Sequence, residues 1–97
     1  MILSDVSTQG GACVAGYAFA TIAAVEATMY KVLKNITPLS AQQLLDCSTD
    51  FNNTGCRGGS PLNSLQYLMA HGNMRNSDYK YTATDGSCVY NSTKKIW

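Results

Sequence analysis

The segment QGGACVAGYAFATIAAVEA, residues 9–27, decides how the rest of the chain is read. It opens on Gly10-Gly11, which favour irregular backbone, passes through Cys13, and becomes almost wholly apolar. From Gly16 to Leu33 no proline and no further glycine interrupts it, and Ala18, Ala20, Ala23, Ala24 and Ala27 are strong helix formers. This predicts one long helix over about residues 16–34. Tyr17, Phe19, Ile22, Val25, Met29 and Leu33 leave little polar surface on it, which predicts a central, buried helix. Lys31 and Lys34 suit the negative end of its dipole. Glu26 is the acid inside the apolar run; a desolvated carboxylate needs hydrogen-bond partners, so it reads as architecture. Gly16 stands at the mouth of the helix, where a glycine ordinarily serves as a cap.

Working outward, residues 1–12 read as an irregular lead-in. Downstream, Pro38 ends a connection, and Ser40 with Gln43 fits a capping box that opens a short helix over about 40–47. Residues 48–60, STDFNNTGCRGGS, form a turn-rich loop by composition. Pro61 suits the first position of a third helix, about 61–71, which Gly72 stops. Residues 73–97 are polar and tyrosine-rich with no helical period, and no repeat or low-complexity segment is present.

The 97 residues suffice for one small domain, whose core is marginal without further support. Seven Lys and Arg against six Asp and Glu give a net charge of +1, which offers no electrostatic case for nucleic acid. The cysteines, at 13, 47, 56 and 88, show no C-x-x-C spacing, and His71 is the single histidine. Two disulfides are therefore expected rather than a metal site, together with folding in an oxidising compartment and no cofactor. Sequons at Asn35, Asn52 and Asn91 agree with an extracellular or lysosomal-type lumen. The start of the chain lacks the basic and long apolar regions of a signal peptide. The apolar run from Ala12 to Val25 is too short for a membrane span.

Four motifs now fall into one order. QGGACVAGYAF resembles the Q-G-x-C-x-S-C-W-A-F segment of papain-like cysteine proteases, PLSAQQLLDC their L-S-E-Q-x-L-V-D-C helix, NNTGCRGGSP their G-C-x-G-G loop, and SDYKYTATDGSC their Y-P-Y-x-x-x-x-G-x-C segment. The resemblance covers nearly the whole chain. It implies the mainly helical left half of that α+β fold, with three helices, disulfides Cys13–Cys56 and Cys47–Cys88, and no β-rich second domain within residues 1–97. Each disulfide closes a loop of roughly 40 residues, worth about 4 kcal/mol in the chain-entropy picture.

Aligned on Ala18-Phe19, the resemblance puts Tyr17 on the family's tryptophan and Gly16 on its catalytic cysteine. That cysteine works as a thiolate at the start of a helix; glycine has nothing to ionise. Cys13 corresponds to a disulfide partner. Gln9 corresponds to the oxyanion-hole glutamine only with one inserted residue, since four positions rather than three separate it from Cys13. Gly58-Gly59 correspond to the glycines whose backbone pairs with an extended peptide, and Pro61 to a pocket wall; a tight turn held by Cys56 explains the same glycines without a ligand. His71, at a helix end, is expected at the surface. Glu26 falls on a structural position of the family.

The expectation is a non-catalytic papain-like domain, not an enzyme, that serves as a structural or interaction subunit. A protein partner would cover the helix face that packs on the second domain in the family. The alternatives are a peptide-binding decoy using the Gly58-Gly59 cleft, or a fragment of a working cysteine endopeptidase. Neither nucleic acid nor membrane insertion is expected.

Overall fold

The structure, a computed structural model, describes residues 13–34 and 37–96; Gln9 and Asn35 lie outside the described residues. Three helices carry the fold: α1, Gly16–Leu33; α2, Ala41–Cys47; and α3, Pro61–His71. Their bounds agree closely with those the sequence predicts. Short 3-10 turns at Ser48–Phe51 and Gly55–Arg57 give local order to the loop between α2 and α3, and a third, Ser92–Lys94, lies near the end of the chain. Among the described residues there is no β-strand; isolated antiparallel bridges pair Leu39 with Arg75 and Met74 with Lys95. Both predicted disulfides are formed, Cys13–Cys56 and Cys47–Cys88.

The core lies where α1 crosses α2 and α3. Ile22, Val25 and Met29 of α1, Leu44 and Leu45 of α2, and Tyr67 and Leu68 of α3 form one buried cluster. α1 is buried on one side only: Ala20, Ala23, Ala24, Ala27 and Val32 are exposed. The apolar pattern alone suggests an enclosed helix; the observed open face agrees instead with the helix face that the family resemblance leaves uncovered. The helix has neighbours on one side, and its other face carries small residues that satisfy a helix pattern without being packed. Glu26 is half-buried and accepts a hydrogen bond from the Leu39 backbone N–H at 2.9 Å, the architectural role expected of it. Among the described residues no helix is long and apolar enough to cross a membrane.

Helix starts and stops follow from side-chain chemistry. Ser40 Oγ accepts from the Gln43 N–H at 3.0 Å, which is half of the expected capping box. The other half is missing, because the Gln43 side chain points into the interior. Its Nε2 donates to Tyr67 Oη at 2.9 Å and to the Gly72 carbonyl at 3.0 Å. Its Oε1 accepts from the Met74 N–H at 2.8 Å and from Asn73 Nδ2 at 3.0 Å. Ser60 caps α3 by accepting from Leu62 and Asn63, with Pro61 in the first turn. The Gly72 N–H closes α3 on the Leu68 carbonyl.

One residue further round, Gln42 holds the next segment. Its Nε2 donates to the Thr84 carbonyl at 2.7 Å and to Asp46 Oδ1, and its Oε1 accepts from the Thr82 N–H. Asp46 in turn accepts from the Gly86 N–H and from Tyr79 Oη. Ser40 Oγ donates to the Tyr79 carbonyl at 2.6 Å. Where the described residues form no β ladder, the buried backbone must be satisfied some other way, and here the polar side of α2 does it.

Gln43→Leu keeps the volume and removes every one of those amide contacts, stranding the Met74 N–H and the Gly72 carbonyl. We expect a loss of about 2–4 kcal/mol of stability, read as a lower urea midpoint by circular dichroism with α1 helicity retained up to the transition.

Candidate functional site

The residues singled out at the start of α1 and in the glycine loop come together in space. Cys13 is buried and bonded to Cys56, and the Val14 N–H donates to the Cys56 carbonyl at 2.8 Å. These contacts press the glycine loop against the mouth of α1. Gly16 is the first residue of that helix, and Ala15, its N-cap, has no side chain able to cap it. The first turn holds no acidic residue. Among the described residues, then, neither the N-cap nor an acid in the first turn offsets the positive end of the helix dipole, and the helix opens on a residue with no side chain.

Tyr17 locks this arrangement. It is buried, and its hydroxyl donates to the Gly55 carbonyl at 2.7 Å. Burial, and after it the charges of Asp85 and Asp46, push its phenol up to about 12. Tyr67 and Tyr81 are pushed up by burial as well, and Tyr79 by burial and its hydrogen bond to Asp46. The Cys56 N–H donates to Asp85 Oδ1 at 2.7 Å, so the loop is also tied to the segment after Tyr79.

The two glycines differ in role. Gly58 has φ +130°, a conformation that favours glycine, with open space where a Cβ would stand. Its own polar groups are engaged: its N–H donates to the Gly55 carbonyl, and its carbonyl accepts from the N–H and Oγ1 of Thr54. Gly59 is constrained by packing instead. A Cβ there would lie 2.5 Å from Asn53 Oδ1 and 2.8 Å from Tyr17 Cε2. Among the described residues the Gly59 N–H and carbonyl take no backbone partner, and the residue is exposed. Of the pair, then, Gly59 alone has backbone free to meet an extended chain.

Asn53, which sequence reading passed over as the middle of a sequon, is the hub of the loop. It is 2% exposed. Its Nδ2 donates to Ser48 Oγ and Ser64 Oγ, and its Oδ1 accepts from the Ser60 N–H at 2.9 Å. Nothing local marks it out, because its partners lie five to eleven residues away. Pro61 is exposed in the first turn of α3. His71 stands apart from this site: its ring lies 4.8 Å from that of Tyr67 and edge-on to Phe51 and Tyr90, and its carbonyl accepts from Tyr90 Oη. All four cysteines are in disulfides, so the chain has no free thiol. Among the described residues no group of three His, Cys, Asp or Glu side chains could hold a metal ion.

Chemically, the arrangement offers a rigid helix mouth without a thiol and an adjacent loop with one free backbone pair. Comparison with known proteins places it. Residues 1–97 match the family described as papain family cysteine protease. Mouse pro-cathepsin H is 35% identical over 96 residues, a match that covers 98% of this chain and 28% of that protein. Mouse cathepsin R is 42% identical over 90 residues, covering 92% of this chain and 27% of that protein. The structure of digestive procathepsin L 3 from the larval midgut of Tenebrio molitor superposes with a TM-score of 0.84 at 33% identity, over 87% of this chain and 28% of that one. The chain thus spans little more than a quarter of the length of these relatives.

The Tyr17 phenol supplies a pH dependence whose sign is fixed. Below pH about 10 both folded and unfolded chains keep it protonated, and its contribution is complete. As pH rises from about 10 towards 12 the unfolded chain ionises while the folded chain resists, so stability falls. Urea midpoints measured from pH 8 to pH 11 should decline at the alkaline end, and Tyr17→Phe should flatten that decline while lowering the midpoint at neutral pH through the lost hydrogen bond to Gly55.

Proposed function

This chain belongs to the papain family of cysteine proteases, and from that premise we propose that it is a non-catalytic member acting as a structural or interaction subunit. One observation carries the reading. The helix mouth where the family's nucleophile belongs is occupied by Gly16, and every thiol of the chain is closed in a disulfide. Peptide cleavage by this family needs a thiolate to attack the scissile carbonyl. A chain with no free thiol has no such group, and the helix dipole at Gly16 has nothing to activate. The alternative, a fragment of a working endopeptidase, is compatible with the family match and would require Gly16 not to be the counterpart of that nucleophile. On the non-catalytic reading, the exposed Ala20, Ala23, Ala24 and Ala27 face of α1 is the surface on which a protein partner rests. The two disulfides fit folding in an oxidising compartment.

A thiol-directed epoxide inhibitor tests the reading on the intact protein, in reductant too mild to open the disulfides. Intact-mass spectrometry should find no adduct, and Gly16→Cys should gain a single one, because a thiol at a helix start has a lowered pKa. An adduct on the natural chain would overturn the proposal.

Peptide holding without cleavage is a second reading, favoured by the unpaired, exposed backbone of Gly59 beside a loop already rigid. Strand addition at one residue gives two backbone hydrogen bonds and weak affinity by itself. Titration of a blocked extended peptide, followed by backbone amide NMR, should shift the Gly59 resonance saturably while leaving that of Gly58 nearly unmoved. Equal or absent shifts at the two glycines would remove this reading.

A further inference from the structure

The sequons remain outside every role assigned so far, and the structure separates Asn52 and Asn91 from Asn53, Asn63 and Asn73. Asn53, Asn63 and Asn73 commit their side-chain nitrogens to the fold: Asn53 to Ser48 and Ser64, Asn63 to the Asn52 carbonyl, and Asn73 to Gln43 and neighbouring carbonyls. None of the three has a hydroxyl residue two positions on; Gly55, Leu65 and Arg75 stand there, and Asp78 stands two positions after Asn76. Asn52 and Asn91 are the reverse case. Both are exposed, both have Nδ2 free of any protein hydrogen bond among the described residues, and both are followed by threonine, Thr54 and Thr93.

The two also differ from each other. At Asn91 the side-chain oxygen accepts from the Thr93 N–H at 3.0 Å and from the Thr93 hydroxyl at 2.7 Å. This is an Asx turn closed within three residues, so a chain that has not yet folded can form it. It orients the amide and leaves Nδ2 without a protein partner among the described residues. At Asn52 the backbone is left-handed, with φ 68°, and the Thr54 hydroxyl donates to the Gly58 carbonyl instead. Residues 91–95 are all exposed, so a group attached there displaces no packed atom.

We propose that Asn91 is an N-glycan acceptor, preferred over Asn52. The donor is an oligosaccharide carried on a lipid diphosphate. Asn91 Nδ2 attacks C1 of the first sugar, the bond from C1 to the diphosphate oxygen breaks, and its electron pair leaves with the lipid diphosphate. The amide proton passes to a base of the transferase, and no oxidant or reductant takes part. The Thr93 hydroxyl orients the acceptor amide and is not consumed.

The test is expression of the full chain in a eukaryotic secretory cell, followed by glycosidase treatment and peptide mapping of all the material, soluble or retained. The peptide containing Asn91 should carry a glycan whose enzymatic removal leaves aspartate at that position, at higher occupancy than the Asn52 peptide. Thr93→Ala, which keeps Asn91 itself, should abolish that glycan; Thr93→Ser should retain it in part; Asn52→Gln should leave it unchanged. Occupancy is scored on total chain, so a variant that fails to fold still reports. An unmodified Asn91 peptide in molecules whose Cys47–Cys88 disulfide has formed, or Asn52 occupied in preference to Asn91, would overturn the proposal.

Discussion

Two adjacent amides on a seven-residue helix hold this structure together. α2 is too short to be stable alone, yet Gln42 and Gln43 are both almost completely buried in it. Burying an amide without partners costs several kcal/mol, so these side chains can be there only because each is fully bonded. Their partners are the backbone groups of residues that form no ladder: Gly72, Met74, Thr82 and Thr84. Asp46 and Ser40 extend the same arrangement to Gly86 and Tyr79. The irregular chain from Gly72 to Gly86 is wrapped on the polar side of one short helix. The other side of that helix, through Leu44 and Leu45, belongs to the apolar core.

The same economy governs the helix mouth. The Cys13–Cys56 bond, the Val14 to Cys56 backbone contact and the Tyr17 hydroxyl on Gly55 fix the glycine loop from three directions. Gly59 is small because Tyr17 and Asn53 already fill the space its side chain would need. This precision survives around a position that carries no reactive group. Packing alone is enough to hold this geometry, since loosening it would open cavities and strand buried polar atoms. Retained geometry at Gly16 is therefore evidence about stability rather than about chemistry.

Much of this was legible in the chain itself. The helix bounds follow from local signals: the alanine-rich run after Gly16, the serine caps at Ser40 and Ser60, Pro61 in the first turn and Gly72 at the stop. The prediction for Gln43 failed in an instructive way. The Ser40–Gln43 spacing is that of a capping box, but the far half of the box never forms, because a better set of partners arrives from thirty residues downstream. Small apolar residues all round α1 suggest an enclosed helix, although alanines on an unpacked face give the same pattern.

Local chemistry along the chain sets what acts over a few residues: where helices start and stop, the absence of a spare thiol once four cysteines pair, and the lack of any side chain at Gly16. How polar groups distant in the chain satisfy one another depends on the folded arrangement alone. That Asn53 is the hub of a loop, that Gln43 serves the backbone of residues 72–74, and that Gly59 keeps its backbone free while Gly58 does not, all depend on which atoms meet across the fold. Hydrogen bonds are short-ranged and directional, so the pattern of residues along a chain can announce the need for a partner without naming it.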